Sequence, residues 1–171
     1  MTAFIGGLFI LAGFFGGAFC ICREYVLRIM YLKKMQSVYE YMKYEISYGK
    51  VPIPQMLFHI AEMEGMFFAS ELKHIAIEMQ GSGKQFEELW KEGLSEPLNK
   101  TPLKREEKQL LLCFPEKQGF LEEDAQARAL DELLREIEKR IAELEAERKG
   151  KNKMVMSVGV AGGLLLTILL I

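Results

Sequence analysis

Charge is missing from both ends of this chain. Its 171 residues hold 22 Lys and Arg against 24 Asp and Glu, and all of them fall between Arg23 and Lys153. The first 22 residues and the last 18 carry no charged side chain, whereas about a third of the stretch between them is charged. This partition excludes an ordinary soluble globule. It describes a polar middle held between two membrane-compatible ends.

Other scarcities narrow the function. The net charge of −2 gives no electrostatic reason for a nucleic-acid partner. There are three cysteines: Cys20 and Cys22 at a membrane boundary, and Cys113 alone in the middle. They make no disulfide framework, as expected on a reducing side. The Cys-x-Cys pair lacks further ligands and reads as apolar filler at a helix end. The two histidines, His59 and His74, have no ligand at metal-site spacing and read as helix-face residues. Asp124 and Asp131 are the only aspartates. No run of alternating β-branched residues suggests a strand.

Gly81-Ser82-Gly83-Lys84 has the look of the end of a phosphate-binding loop. Glu78, however, stands where the first glycine belongs, and Gln85 stands where a Ser or Thr would hold magnesium. No catalytic constellation is left, so neither an enzyme nor a cofactor is expected.

What is present begins with two apolar runs. Thr2 to Cys22 is 21 residues without a charge, and about 20 residues cross the hydrocarbon core. No basic segment precedes the run, and Gly17-Ala18-Phe19 before Cys20 does not suit a lipoprotein cleavage site. The run therefore reads as a retained anchor. Met154 to Ile171, 18 residues, sits at the short end of the spanning range. Arg23, Arg28, Lys33 and Lys34 follow the first run, and Arg148, Lys149, Lys151 and Lys153 precede the second. This asymmetry puts residues 23–153 in the cytoplasm. The expected organisation is a transmembrane helix at 2–22, a cytoplasmic helical bundle at 23–153 and a second transmembrane helix at 154–171. Gly13-x-x-x-Gly17 and Gly159-x-x-x-Gly163 place small residues one turn apart, so the spans could pack within a chain or between copies as a homo-oligomer.

The polar middle is helical by its periodicity. Tyr25, Ile29, Leu32, Met35, Tyr39, Met42 and Ile46 recur at steps of three and four along an unbroken segment. Gly49 offers a left-handed C-terminal cap, and Pro52 with Pro54 fixes a turn. Short helices are expected at about Pro54 to Glu64, Ala69 to Gln80 and Lys84 to Leu94, the last region ending at Pro97. Thr101-Pro102 has the capping residue and first-turn proline of another helix start, which Pro115 stops. Leu103, Leu110, Leu111 and Phe114 would face inward. From about Leu121 a long helix carries Leu130, Leu134, Ile137, Ile141 and Leu144. The fold class is all-α: an antiparallel bundle of about six helices whose first and last helices continue into the membrane.

Glu45 lies one turn before the end of the first helix, where a carboxylate is mismatched with the helix dipole. A basic partner would offset this; plain solvation is the alternative. The segment Glu45-Ile46-Ser47-Tyr48-Gly49-Lys50-Val51-Pro52-Ile53 resembles the E-x-x-Y-G-x-x-P-L element of the stage III sporulation protein AB family. The order of features fits along the whole chain: a charge-free span, basic residues, that element, a Trp-bearing helix, Gly119 with Gln126, and a long charged helix entering a glycine-containing span. The chain departs at Ile53 for leucine, at Glu122 for aspartate and at Pro115 for glycine.

The resemblance implies a role in endospore formation. It also implies a soluble domain similar to the cytoplasmic domains of the platform proteins of type II secretion and type IV pilus systems. By that analogy the partners are the membrane, the secretion-type ATPase stage III sporulation protein AA and other stage III sporulation channel proteins. Glu45, Tyr48, Gly49 and Pro52 become the candidate interface or structural motif. A non-enzymatic platform for the ATPase is the leading expectation. The competing one is a membrane-bound helical sensor or regulator that signals through its stalk.

Overall fold

Three- and four-residue apolar spacing dictates helix, and the computed structural model has six α-helices and no strand among the described residues. It describes the backbone of residues 2–49, 51–114 and 123–170. Side chains are described for residues 23–49, 51–114, 125–154, 157, 158, 161 and 162. The helices are α1 (Thr2–Tyr44), α2 (Ile53–Glu62), α3 (Ala69–Gly81), α4 (Phe86–Asn99), α5 (Arg105–Leu112) and α6 (Glu123–Leu170), with a π-helical turn at Glu45–Gly49 after α1.

The chain divides into two units. One comprises Met1–Ile29 and Ala142–Ile171. In it the buried Tyr25 ring is flanked by two cations, the Arg28 guanidinium carbon at 5.4 Å and Lys151 Nζ at 5.4 Å from the ring centroid. Leu144 is buried in the same unit. Among the described residues no helix is long and apolar enough to cross a membrane. The expected spans 2–22 and 154–171 lie wholly or largely outside the described side chains, as do Gly13, Gly17, Gly159 and Gly163.

The second unit is Met30–Ile141. Here Gln36 Nε2 donates to Glu138 Oε1 at 3.4 Å, and Lys43 Nζ meets Asp131 Oδ1 at 2.5 Å. One heptad forward on α1 matches one heptad back on α6, so the two helices run antiparallel. Leu32, Met35, Tyr39 and Met42 of α1 and Ile46 of the π-turn are buried, and so are Leu130, Leu134, Ile137 and Ile141 of α6, joined by Leu133. The shorter helices follow in sequence, α2 against α3, α3 against α4 and α4 against α5. Gly93 lets α4 come close to α3: a Cβ there would stand 2.7 Å from Ile75 Cγ1.

An aromatic cluster fills the centre of this unit. Tyr39, Phe86, Trp90 and Phe114 have ring centroids 5.4–6.2 Å apart. Their tilted and edge-on arrangements are the ones the ring quadrupoles favour. Tyr39 Oη and Trp90 Nε1 both donate to the carbonyl of Leu111. That carbonyl is in the last turn of α5, where the helix supplies no donor of its own.

The structure departs from the sequence reading at several points. α4 does not end before Pro97 but runs through it to Asn99. The N–H that proline lacks falls in the final turn, and continuing that turn buries Leu98. Thr101 does not start α5. Its hydroxyl donates to Leu98 O at 2.6 Å and so closes the end of α4, while α5 begins at Arg105 after Lys104. The inward position between Leu103 and Leu111 belongs to Glu107, and Leu110 is only half-buried. α5 stops at Leu112; Pro115, Gly119, Leu121 and Glu122 lie outside the described residues. Gly49 is not left-handed: the described glycines with positive φ are Gly65 and Gly83.

Candidate partner-binding site

The end of α1 is where apolar periodicity gives way to exposed aromatics. Tyr44 and Tyr48 are one turn apart, their ring centroids 5.3 Å from each other, and they are 60% and 78% exposed. Tyr41, one turn earlier, is 40% exposed. Tyrosine is a common anchor at protein interfaces because its ring contributes large contact area while its hydroxyl stays wet. Beside the pair lies a groove of about 440 Å³ between the end of α1, the π-turn and α6. Its lining includes Glu40, Lys43 and Ser47 from the end of α1 and the π-turn, and Asp131, Leu134, Arg135 and Glu138 from α6.

The π-turn itself is built on Glu45 and Gly49. The Glu45 side chain folds back over the turn, and Gly49, lacking Cβ, leaves room for its carboxylate: an ideal Cβ would lie 2.7 Å from Glu45 Oε2 and 3.1 Å from Val51 Cγ2. The same Oε2 stands 4.0 Å from His59 Nδ1 on α2, with the Glu45 side chain 23% exposed. Glu45 is thus turned toward its own fold and away from solvent. Pro52 ends the turn: its carbonyl accepts from Met56 N at 3.0 Å and opens α2.

Of the four residues the sequence singled out, the structure brings Glu45 and Gly49 together. It places Pro52 at the start of the next helix and leaves Tyr48 alone pointing outward. The sequence reading passed over Tyr44, Lys43, Asp131 and Glu138. Their signal was present for the tyrosines only: Tyr44 and Tyr48 are spaced one turn apart and fall outside the buried stripe. Pairing of Lys43 with Asp131 depends on the register of two distant helices.

A second polar feature was also missed. Glu107 is buried, and its Oε1 accepts from Arg140 Nε at 3.1 Å while its Oε2 accepts from Lys104 N at 2.8 Å. This ties the first turn of α5 to α6. Elsewhere Lys84, the residue that had suggested a phosphate loop, pairs with Glu92 at 2.7 Å, and this pairing raises its pKa. No group of three or more metal-ligating side chains occurs among the described residues.

Three comparisons bear on this geometry. The family model of stage III sporulation protein AB matches residues 3–171. A curated relative, the stage III sporulation protein AB of Bacillus subtilis (strain 168), is 22% identical over 170 residues, covering 99% of each chain. A solved structure of a stage III sporulation protein AB superposes with a TM-score of 0.63 at 18% identity, over 72% of this chain and 98% of its own, which makes the fold the same.

Proposed function

The chain belongs to the stage III sporulation protein AB family, and on that footing we propose that it is a non-enzymatic membrane platform, docking the secretion-type ATPase stage III sporulation protein AA to the mother-cell membrane. The observation that carries the reading is the exposed Tyr44–Tyr48 pair beside an open groove at the end of α1. Two large, wet aromatic rings on the last turns of a helix are what a docking surface uses and what a solvated helix end has no need of. The charge-free runs at 2–22 and 154–171, bordered on their inner sides by Lys and Arg, support membrane anchoring with residues 23–153 on the mother-cell side. Other stage III sporulation channel proteins would then assemble around the same platform.

The test is co-purification. The full chain in neutral detergent, mixed with purified stage III sporulation protein AA, is expected to elute with it from a sizing column. Separate elution at tens of micromolar of each protein would overturn the docking role.

A further inference from the structure

We propose that the groove beside Tyr44 and Tyr48 reads an arginine: it takes a partner segment whose guanidinium stacks on the tyrosine rings and forks onto the Glu40 and Glu138 carboxylates. The inference rests on the docking reading above and names the chemistry of the segment that docks.

The charges of the groove are unequally matched. Lys43 Nζ lies 2.5 Å from Asp131 Oδ1, whereas Arg135 Nε donates to the neutral Asp131 backbone carbonyl at 3.2 Å, so the lining sets three carboxylates against two cations. Among the described residues neither Glu40 nor Glu138 forms an ion pair. Glu40 Oε1 and Glu138 Oε1 instead share the neutral amide of Gln36, at 3.2 and 3.4 Å. One amide nitrogen thus draws two like charges within two hydrogen-bond lengths of each other, and it neutralises neither. A cation supplied from outside would relieve that repulsion.

The tyrosines select which cation. An ammonium is a compact, strongly hydrated point charge. A guanidinium is planar and weakly hydrated, and it stacks on an aromatic face while its edge donates in a fork to carboxylates. The groove offers both elements, and Leu134 of α6 adds an apolar patch to its lining for the methylene stem. An acidic segment would meet Glu40 and Glu138. A purely apolar one would leave them without a counter-charge in a partly closed groove.

The probe is a fluorescein-labelled decapeptide of alternating glycine and arginine, titrated against the full chain in neutral-detergent micelles and read by fluorescence anisotropy. The same peptide with lysine, and with uncharged citrulline, serves for comparison. The arginine peptide is expected to bind at least about threefold tighter than the lysine peptide. The citrulline peptide should not saturate. Tyr48→Ala and Glu138→Gln, both at exposed positions that leave the helical circular-dichroism signal intact, should each weaken it by about tenfold. Glu106→Gln, exposed on α5, should not.

Equal binding of arginine and lysine peptides, or wild-type binding by both groove variants, overturns the proposal. So does an ATPase that binds wild type, Tyr48→Ala and Glu138→Gln alike, although the platform role then stands. A wild-type chain that retains no ATPase removes the platform role instead, and the peptide titration decides the groove by itself.

Discussion

A Cβ on Gly49 would stand 2.7 Å from Glu45 Oε2, closer than van der Waals contact permits. The glycine is there to make room for a neighbour's carboxylate, not to supply a left-handed backbone. Gly49→Ala should therefore push the carboxylate, the flexible end of its side chain, off the turn, at a cost of no more than about 1 kcal/mol. In a Glu45→Ala background the same change should be neutral or stabilising by about 0.5 kcal/mol, since alanine outperforms glycine in helical backbone. Thermal unfolding followed by circular dichroism on the four variants gives the coupling directly. If Gly49→Ala does equal harm in both backgrounds, the carboxylate is not what the glycine accommodates.

Glu107 and Arg140 form an ion pair whose acid is fully buried and whose base is 23% exposed. Removing the arginine takes the counter-charge from a buried acid that keeps the Lys104 N–H, at up to about 3 kcal/mol. Arg140→Met should lower stability on that scale. Lys139→Met, at the exposed neighbouring position, should change it by less than about 0.5 kcal/mol. Equal effects of the two substitutions would deny the pair its structural role.

Tyr39 carries the pH prediction. Burial holds its phenol well above the ordinary value of 10.0, with the nearby Cys113 adding to the shift. A raised folded pKa means that only the unfolded chain ionises readily once pH passes the ordinary value. The contribution is fully present below pH 10 and is lost as pH rises beyond it, at up to about 1.4 kcal/mol per pH unit. Tyr39→Phe should cost about 1 kcal/mol at neutral pH, because the Leu111 carbonyl keeps only the Trp90 donor. The variant should then lose less stability than wild type between pH 10 and 11. Parallel curves over that range would contradict this.

The proposed membrane orientation rests on the Lys/Arg distribution and is checked by reporters. A reporter inserted at the exposed Ser82 should behave as cytoplasmic, and one fused after Ile171 as external. An exported, disulfide-forming reporter at Ser82 would reverse the topology and remove the proposed ATPase contact with it.

The helices were legible because their buried faces repeat. Leu32, Met35, Tyr39 and Met42 announce α1, and Leu130, Leu134, Ile137 and Ile141 announce α6, all by spacing alone. Local chemistry was harder to assign. Thr101-Pro102 carries every sign of a helix start, yet the threonine closes the helix behind it, its hydroxyl donating to Leu98 O while it accepts from Leu103 N. Glu107 was invisible to a search for apolar positions, since what makes it an inward residue is an arginine 33 positions away. At the candidate site the element around Gly49 was readable as a motif. The groove was not, because it exists only once α1 and α6 are in register.

The proposed docking of a secretion-type ATPase puts the contact at the Tyr44–Tyr48 end of α1. The most direct measurement is the dissociation constant of the full chain, in lipid nanodiscs, for stage III sporulation protein AA, compared between Tyr48→Ala and Ile77→Ala. Both side chains are well exposed, at 78% and 58%, and Ile77 sits on α3 outside the groove. Loss of an anchoring tyrosine, at about 2 kcal/mol, weakens binding by roughly 30-fold. Tyr48→Ala is expected to do so while Ile77→Ala leaves the constant within about twofold. Wild-type affinity for Tyr48→Ala, with the loss appearing at Ile77→Ala, would place the docking surface on α3 and not on the Tyr44–Tyr48 end of α1.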